Sequence, residues 1–97
     1  MTRSVRFRAE AAAEASNARR WYESRRRGLG TESVEAADQT VSRIAENPAT
    51  FPEVRGEVRR AVLPRFLYAV YFRLAANTVV VLAVHGRQHP ERWQSRA

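Results

Sequence analysis

Val5 and Phe7 alternate with Arg6 and Arg8, a period of two that predicts a short first strand over about residues 3–8. Its brevity and its arginines place it at a sheet edge. From Ala9 the chain changes to strong helix formers, and Ala11, Ala15, Ala18 and Tyr22 recur every three or four positions, drawing one narrow apolar stripe along a first helix. Arg19, Arg20, Arg25, Arg26 and Arg27 crowd its last turns, where cations suit the negative end of the helix dipole, and Gly28 can take the left-handed conformation that ends it. Thr31 is the expected N-cap of a second helix, with Glu32 and Glu35 in its first turn. Val34, Ala37, Val41 and Ile44 supply its apolar face, and Asn47-Pro48 stops it. The short link predicts an antiparallel helical hairpin, in which small alanines allow close approach and Trp21, Tyr22 and Leu29 supply bulk.

After an irregular stretch at Phe51-Pro52, Val58, Arg60 and Val62 alternate with Arg59, Ala61 and Leu63, predicting a second strand that Pro64 interrupts. Phe66, Tyr68, Val70, Phe72 and Leu74 share one face of a long third strand, and Leu67, Ala69, Tyr71 and Arg73 share the other. Apolar residues on both faces mark a central strand. Ala75-Ala76-Asn77 then turns the chain into a β-branched fourth strand over residues 78–85, so strands three and four should form an antiparallel hairpin. The reading is an α+β domain in the order β-α-α-β-β-β, an antiparallel sheet packed on one face by the helical hairpin. Tyr68, Val70, Phe72, Val80, Leu82 and Ile44 are expected in one core. Arg59, Tyr71 and Arg73 are expected on the face away from the helices, where they would form either an ordinary solvated surface or a basic, aromatic face suited to RNA or an acidic peptide.

Length and charge narrow the possibilities. Ninety-seven residues make room for one domain, read here as spanning 1–97, and not for a two-domain enzyme. The absence of cysteine removes disulfide scaffolds, zinc ribbons and thiol catalysis, and it fits a reducing compartment, so the expected location is cytoplasmic. The longest apolar run, Val79 to Val84, is far shorter than a membrane span, and Glu10, Glu14 and Glu23 break the acid-poor pattern of a transit peptide. Seventeen basic residues, all arginine, against ten acidic ones leave a net charge of +7, which favours acidic partners: nucleic acid, an anionic surface or an acidic protein segment.

Little in the chain suggests hydrolytic or cofactor chemistry. His85 and His89 are four apart, but Gly86 and Pro90 argue against one helix presenting both, and Asp38 is the only aspartate; neither a metal nor a cofactor is expected. Gly28-Leu29-Gly30 reads as a helix break and not a phosphate loop. Ser16, Ser24, Ser33 and Ser42 lie in helical segments with no nucleophile elbow around them. A plain nucleic-acid-binding module would explain the charge, but the arginines are dispersed along the chain and no recognition motif accompanies them.

In order and spacing, several fragments resemble the RelE/ParE superfamily of bacterial toxins, and its ParE branch in particular. They are Trp21-Tyr22-Glu23, Gly28-Leu29-Gly30, Pro48 with Phe51-Pro52, Val58 to Leu63, Phe66 to Arg73, and Val81 to Arg87 followed by Pro90 and Trp93. The chain departs from the family pattern at Leu67, where proline is frequent, at Val34, where phenylalanine is, and at Gln88-His89, where an acid usually precedes the proline. The resemblance implies a growth-inhibiting toxin of a type II, plasmid-stabilising toxin–antitoxin module, held in a hetero-oligomer by a ParD-like antitoxin. Two mechanisms occur in the superfamily: poisoning of DNA gyrase, through its A subunit, and ribosome-dependent mRNA cleavage.

RNA cleavage through the 2′-hydroxyl needs a base, cations around the phosphorane and an acid for the leaving group. RelE-like nucleases fill these roles with lysines, arginines, a histidine or glutamate and often a tail tyrosine. This chain has no lysine and no tyrosine after Tyr71; Arg59, Arg65, Arg73 and His85 are the residues that would have to serve. The expectation is therefore a non-enzymatic, gyrase-binding toxin. Arg87 and Arg92 are its candidate gyrase contacts, and Trp93 is read as tail packing in preference to a partner anchor.

Overall fold

The computed structural model describes residues 2–86. Strand β1 (Ser4–Phe7) leads into helices α1 (Ala9–Arg25) and α2 (Leu29–Glu46), followed by a 3-10 turn at Pro48–Thr50. Strands β2 (Glu53–Arg55), β3 (Val58–Val62), β4 (Tyr68–Ala75) and β5 (Thr78–Gly86) complete a five-stranded sheet in the order β1-β5-β4-β3-β2. The α+β reading, with the helical hairpin on one sheet face, is what the structure has. Two features of the sheet differ from expectation. Glu53–Arg55 forms a three-residue edge strand antiparallel to β3, too short to leave an alternating signature. And β1, at the opposite edge as expected, runs parallel to β5, with Ser4 opposite Thr78 and Phe7 opposite Val81. A period of two is the same in parallel and antiparallel strands, so the local pattern carries no direction.

The α1–α2 link is built around Glu23. Its carboxylate accepts hydrogen bonds from the amides of Gly28 (3.0 Å) and Gly30 (2.9 Å), which satisfies donors that the start of α2 would otherwise leave open. The Gly28 bond foremost, and then that of Gly30, hold the carboxyl below its ordinary value of 4.5. Gly28 sits at φ 86° as the residue preceding α2, so the helix begins two residues before the expected Thr31 cap. Gly30 is where the helices touch: a Cβ there would lie 2.7 Å from the Arg19 carbonyl oxygen and 2.8 Å from Glu23 Oε1.

The buried face of α2 is Gly30, Ser33, Ala36, Thr40 and Ile44, rotated from the expected stripe; Val34 is exposed. Two buried hydroxyls explain the difference. Ser33 Oγ donates to the Gly30 carbonyl (2.7 Å) and Thr40 Oγ1 to that of Ala36 (2.9 Å), so both polar side chains enter the core already satisfied. On α1 the expected stripe holds: Ala11 is buried, and Ala15, Ala18 and Tyr22 pack against the core. Trp21, expected to supply bulk between the helices, instead faces outward at 50% exposure.

The helix-facing core joins Ile44 and Ala11 to Ala61, Leu63, Phe66, Tyr68, Val70, Phe72, Val79, Val81 and Val84. Val80 and Leu82, expected here, belong to a second buried cluster on the other face with Val58, Ala69, Tyr71 and Ala83. The register gives the reason. The two-residue turn sets Ala75 opposite Thr78, so Leu74 faces Val79 and Phe72 faces Val81, and cross-strand partners share a face. Between Tyr71 and Phe72 the register then shifts: Tyr71 pairs with Ala83 and Phe72 with Val81, leaving Leu82 as an extra residue in β5. This bulge reverses the facing of everything after it. Val84 points to the helices and His85, opposite Ala69, to the other side.

Phe72 is fully buried and meets Phe51 edge-on at 5.9 Å. Truncation to alanine should cost about 3–5 kcal/mol, measured as a shift in denaturant midpoint at constant m-value. Gly30→Ala should cost about 1–3 kcal/mol by overpacking against a backbone carbonyl that cannot retreat alone; a melt within a degree of wild type would show that the helices separate freely.

Candidate functional surfaces

Of the four residues that would have to support RNA cleavage, the fold places two on one face. Arg73 and His85 lie on the face away from α1 and α2, because Arg73 pairs with Val80 and His85 with Ala69, all on that side of β4 and β5. Arg59, expected beside them, is on the opposite face: it pairs with Phe72, and its guanidinium donates to the Phe51 carbonyl at 2.5 Å. Its place is taken by Arg60, the partner of Tyr71. Sequence parity had pointed at the wrong member of an Arg-Arg pair, because an isolated short strand does not reveal which neighbour it faces until its register with β4 is known.

Arg65 lies apart from both groups, in the loop joining β3 to β4, with φ at 71°. That left-handed backbone is uncommon for a residue with a side chain. The guanidinium lies over the Phe66 ring, 5.4 Å from its centre, and 3.7 Å from a Glu32 carboxylate oxygen. Arg87, Arg92 and Trp93, the candidate tail contacts, lie outside the described residues.

The face away from α1 and α2 therefore combines Arg60, Arg73 and a buried stacked pair, with the Tyr71 and His85 rings 4.8 Å apart and inclined by 21°. Each arginine has a buried Nε without a hydrogen-bond partner among the described residues, and a buried donor of this kind gains from an acceptor brought to it. His85 Nδ1 is 2.8 Å from the Gly86 carbonyl; since a carbonyl can only accept, Nδ1 carries a proton. Tyr71 and His85 are buried, so what this face offers to solvent is its two half-buried arginines. Among the described residues no cluster of three or more histidine, aspartate or glutamate side chains could hold a metal ion, and no helix is long and apolar enough to cross a membrane.

A second arrangement links the helices to the start of β4. Tyr22 meets Phe66 edge-on at 4.9 Å and lies 5.9 Å from Tyr68. Its hydroxyl accepts the Leu67 amide at 3.0 Å, and Tyr68 Oη donates to the Ser33 carbonyl at 3.3 Å. Sequence reasoning assigned these aromatics to packing, as the structure does. Burial pushes the Tyr68 hydroxyl up to about 12, against a smaller opposing effect of the Ser33 side chain.

No protein-family model matches the sequence, and no curated protein matches it significantly. Solved structures do. A chain of the chromosomal ParDE TA system from P. aeruginosa superposes with a TM-score of 0.74 at 18% identity, over 88% of this chain and 96% of its own. A chain of the RelBE2 toxin–antitoxin complex from Mycobacterium tuberculosis superposes with a TM-score of 0.62 at 16% identity, over 90% of this chain and 100% of its own. The chain thus has the RelE/ParE-like fold that its sequence fragments resembled.

The raised Tyr68 hydroxyl makes stability fall in alkali. The unfolded chain ionises near 10 while the folded one keeps its proton to about 12, so the contribution is complete below pH 10 and lost as pH rises to 12. Tyr68→Phe should flatten this part of the stability–pH curve in chemical melts, and an unchanged slope would place the loss elsewhere.

Proposed function

We propose that this chain is the toxin of a type II toxin–antitoxin module, held inactive by a ParD-like antitoxin in a hetero-oligomer and acting in the cytoplasm by binding DNA gyrase, through its A subunit, without catalysis of its own. The observation that carries the reading is a superposition over about nine-tenths of the chain with chains from two toxin–antitoxin systems. Gyrase is favoured over RNA by the dispersal of the nuclease candidates. Arg59 is committed to the Phe51 carbonyl on the helix side, Arg65 sits over Phe66 beside Glu32, and only Arg73 and His85 share a face.

Under this reading the toxin adds no bond-making step. It binds the cleaved-DNA state of gyrase more tightly than the resting state, because a ligand shifts an equilibrium only through differential affinity. Arg87 and Arg92 remain the candidate contacts, with Trp93 as tail packing. The second reading, ribosome-dependent mRNA cleavage, is favoured by one arrangement, the placement of Arg60, Arg73 and His85 on the same sheet face, together with the RelBE2 likeness. The purified chain should inhibit gyrase supercoiling and leave ribosome-bound mRNA intact. Codon-positioned mRNA cuts that vanish in His85→Ala, with supercoiling unaffected, would reverse the assignment.

A further inference from the structure

Five of the chain's seventeen arginines fall within nine residues at the end of α1: Arg19, Arg20, Arg25, Arg26 and Arg27, all of them exposed. The fold adds a sixth. Glu32, near the start of α2, lies 3.2 Å from Arg26 and 3.7 Å from Arg65, so its carboxylate draws the arginine of the β3–β4 loop to the same end of the molecule. The Arg65 side chain is 70% exposed there. The Arg25 guanidinium lies 4.4 Å from the centre of the exposed Trp21 ring, a cation–π contact that orders it in advance. Two carboxylates at this end are already engaged, Glu23 by the Gly28 and Gly30 amides and Glu32 by its two arginines. Of these groups, six cations against two anions leave an excess of four positive charges.

The chemistry that fits is a row of phosphates. Arginine forks bind phosphate oxygens in pairs and stay charged throughout the physiological range. Rise along a helix separates Arg19 and Arg20 from Arg25 and Arg26 by roughly 9 Å, which covers two or three phosphates of one DNA strand at about 3.4 Å of axis each. An acidic peptide offers no such fixed repeat. We propose that the end of α1, together with Arg65, is a surface for the phosphate backbone of duplex DNA, which it grips without reading sequence. The choice of duplex DNA among phosphate polymers rests on the gyrase reading above. It adds a source for the differential affinity which that reading requires: the toxin touches the DNA that the enzyme holds, and so gains a contact that gyrase without DNA does not offer.

The test is fluorescence anisotropy of the purified full chain with a labelled DNA duplex of about 20 base pairs across a salt series. Affinity should fall with salt at a log–log slope of about −3 to −5. Arg20→Ala and Arg27→Ala should each weaken binding about fivefold and reduce that slope by about 1, with thermal melts unchanged. Arg55→Ala removes the same charge from an exposed site on the edge strand β2 and should change affinity less than about twofold, because salt screens distant exposed charges. Equal losses in Arg55→Ala and the two α1 variants would reduce the binding to net charge and overturn the proposal. So would the absence of salt-dependent binding by the wild type, or tighter binding to an RNA duplex of the same length or to polyglutamate. Supercoiling assays keep the two readings apart. If the wild type inhibits gyrase yet binds no DNA, the DNA surface fails while the toxin reading stands. If DNA binding maps to Arg20 and Arg27 while supercoiling is unaffected, the surface stands and the gyrase reading fails.

Discussion

The one-residue bulge at Leu82 decides how this molecule divides its side chains between its two faces. Before it, Val79 and Val81 turn toward the helices; after it, Val84 does. Had β5 continued in strict alternation, Ala83 and His85 would face the helices and Val84 the other side. The bulge instead lets Leu82 and Ala83 fill the second cluster together and brings the His85 ring onto Tyr71. A single extra residue thus completes the helix-side core and supplies the opposite face with its only imidazole among the described residues.

The helix layer depends on close approach at one end and aromatic contact at the other. Gly30 lets α2 meet α1 where no Cβ would fit, and the Glu23 carboxylate organises the turn by accepting two amides at once. Toward the sheet, Tyr22 and Tyr68 connect both helices to β4 and to the loop before it. At the start of the chain, Arg3 donates to the carbonyls of Ala45 and Glu46 at 3.3 Å each, placing a cation on the negative end of α2. These contacts hold β1 and both helices as one layer over the sheet, and they leave Trp21 and Leu67 standing outside it.

The two faces therefore offer different chemistry. On the helix side, the arginines at the end of α1 stand exposed beside Trp21. On the opposite side, half-buried Arg60 and Arg73 stand beside the buried Tyr71–His85 stack, and Arg59, bonded to the Phe51 carbonyl, contributes to neither.

How much of this was legible in the sequence follows from the range of the forces involved. The helical hairpin, its break at Gly28, the alanine stripe of α1, the central β4–β5 hairpin and the α+β class rest on local propensity and periodicity, which act over a few residues and are written in the order of residue types. The direction of β1, the edge strand at Glu53–Arg55, the rotation of α2 onto Ser33 and Thr40, the choice of Arg60 over Arg59 and the facing of His85 are different in kind. The uninterrupted valine run of β5 looks the same with or without a bulge, and a short strand such as β3 can offer either of two adjacent arginines to either face. Those choices belong to tertiary structure, because cross-strand register and the burial of satisfied hydroxyls are settled only when segments distant in sequence pack against one another.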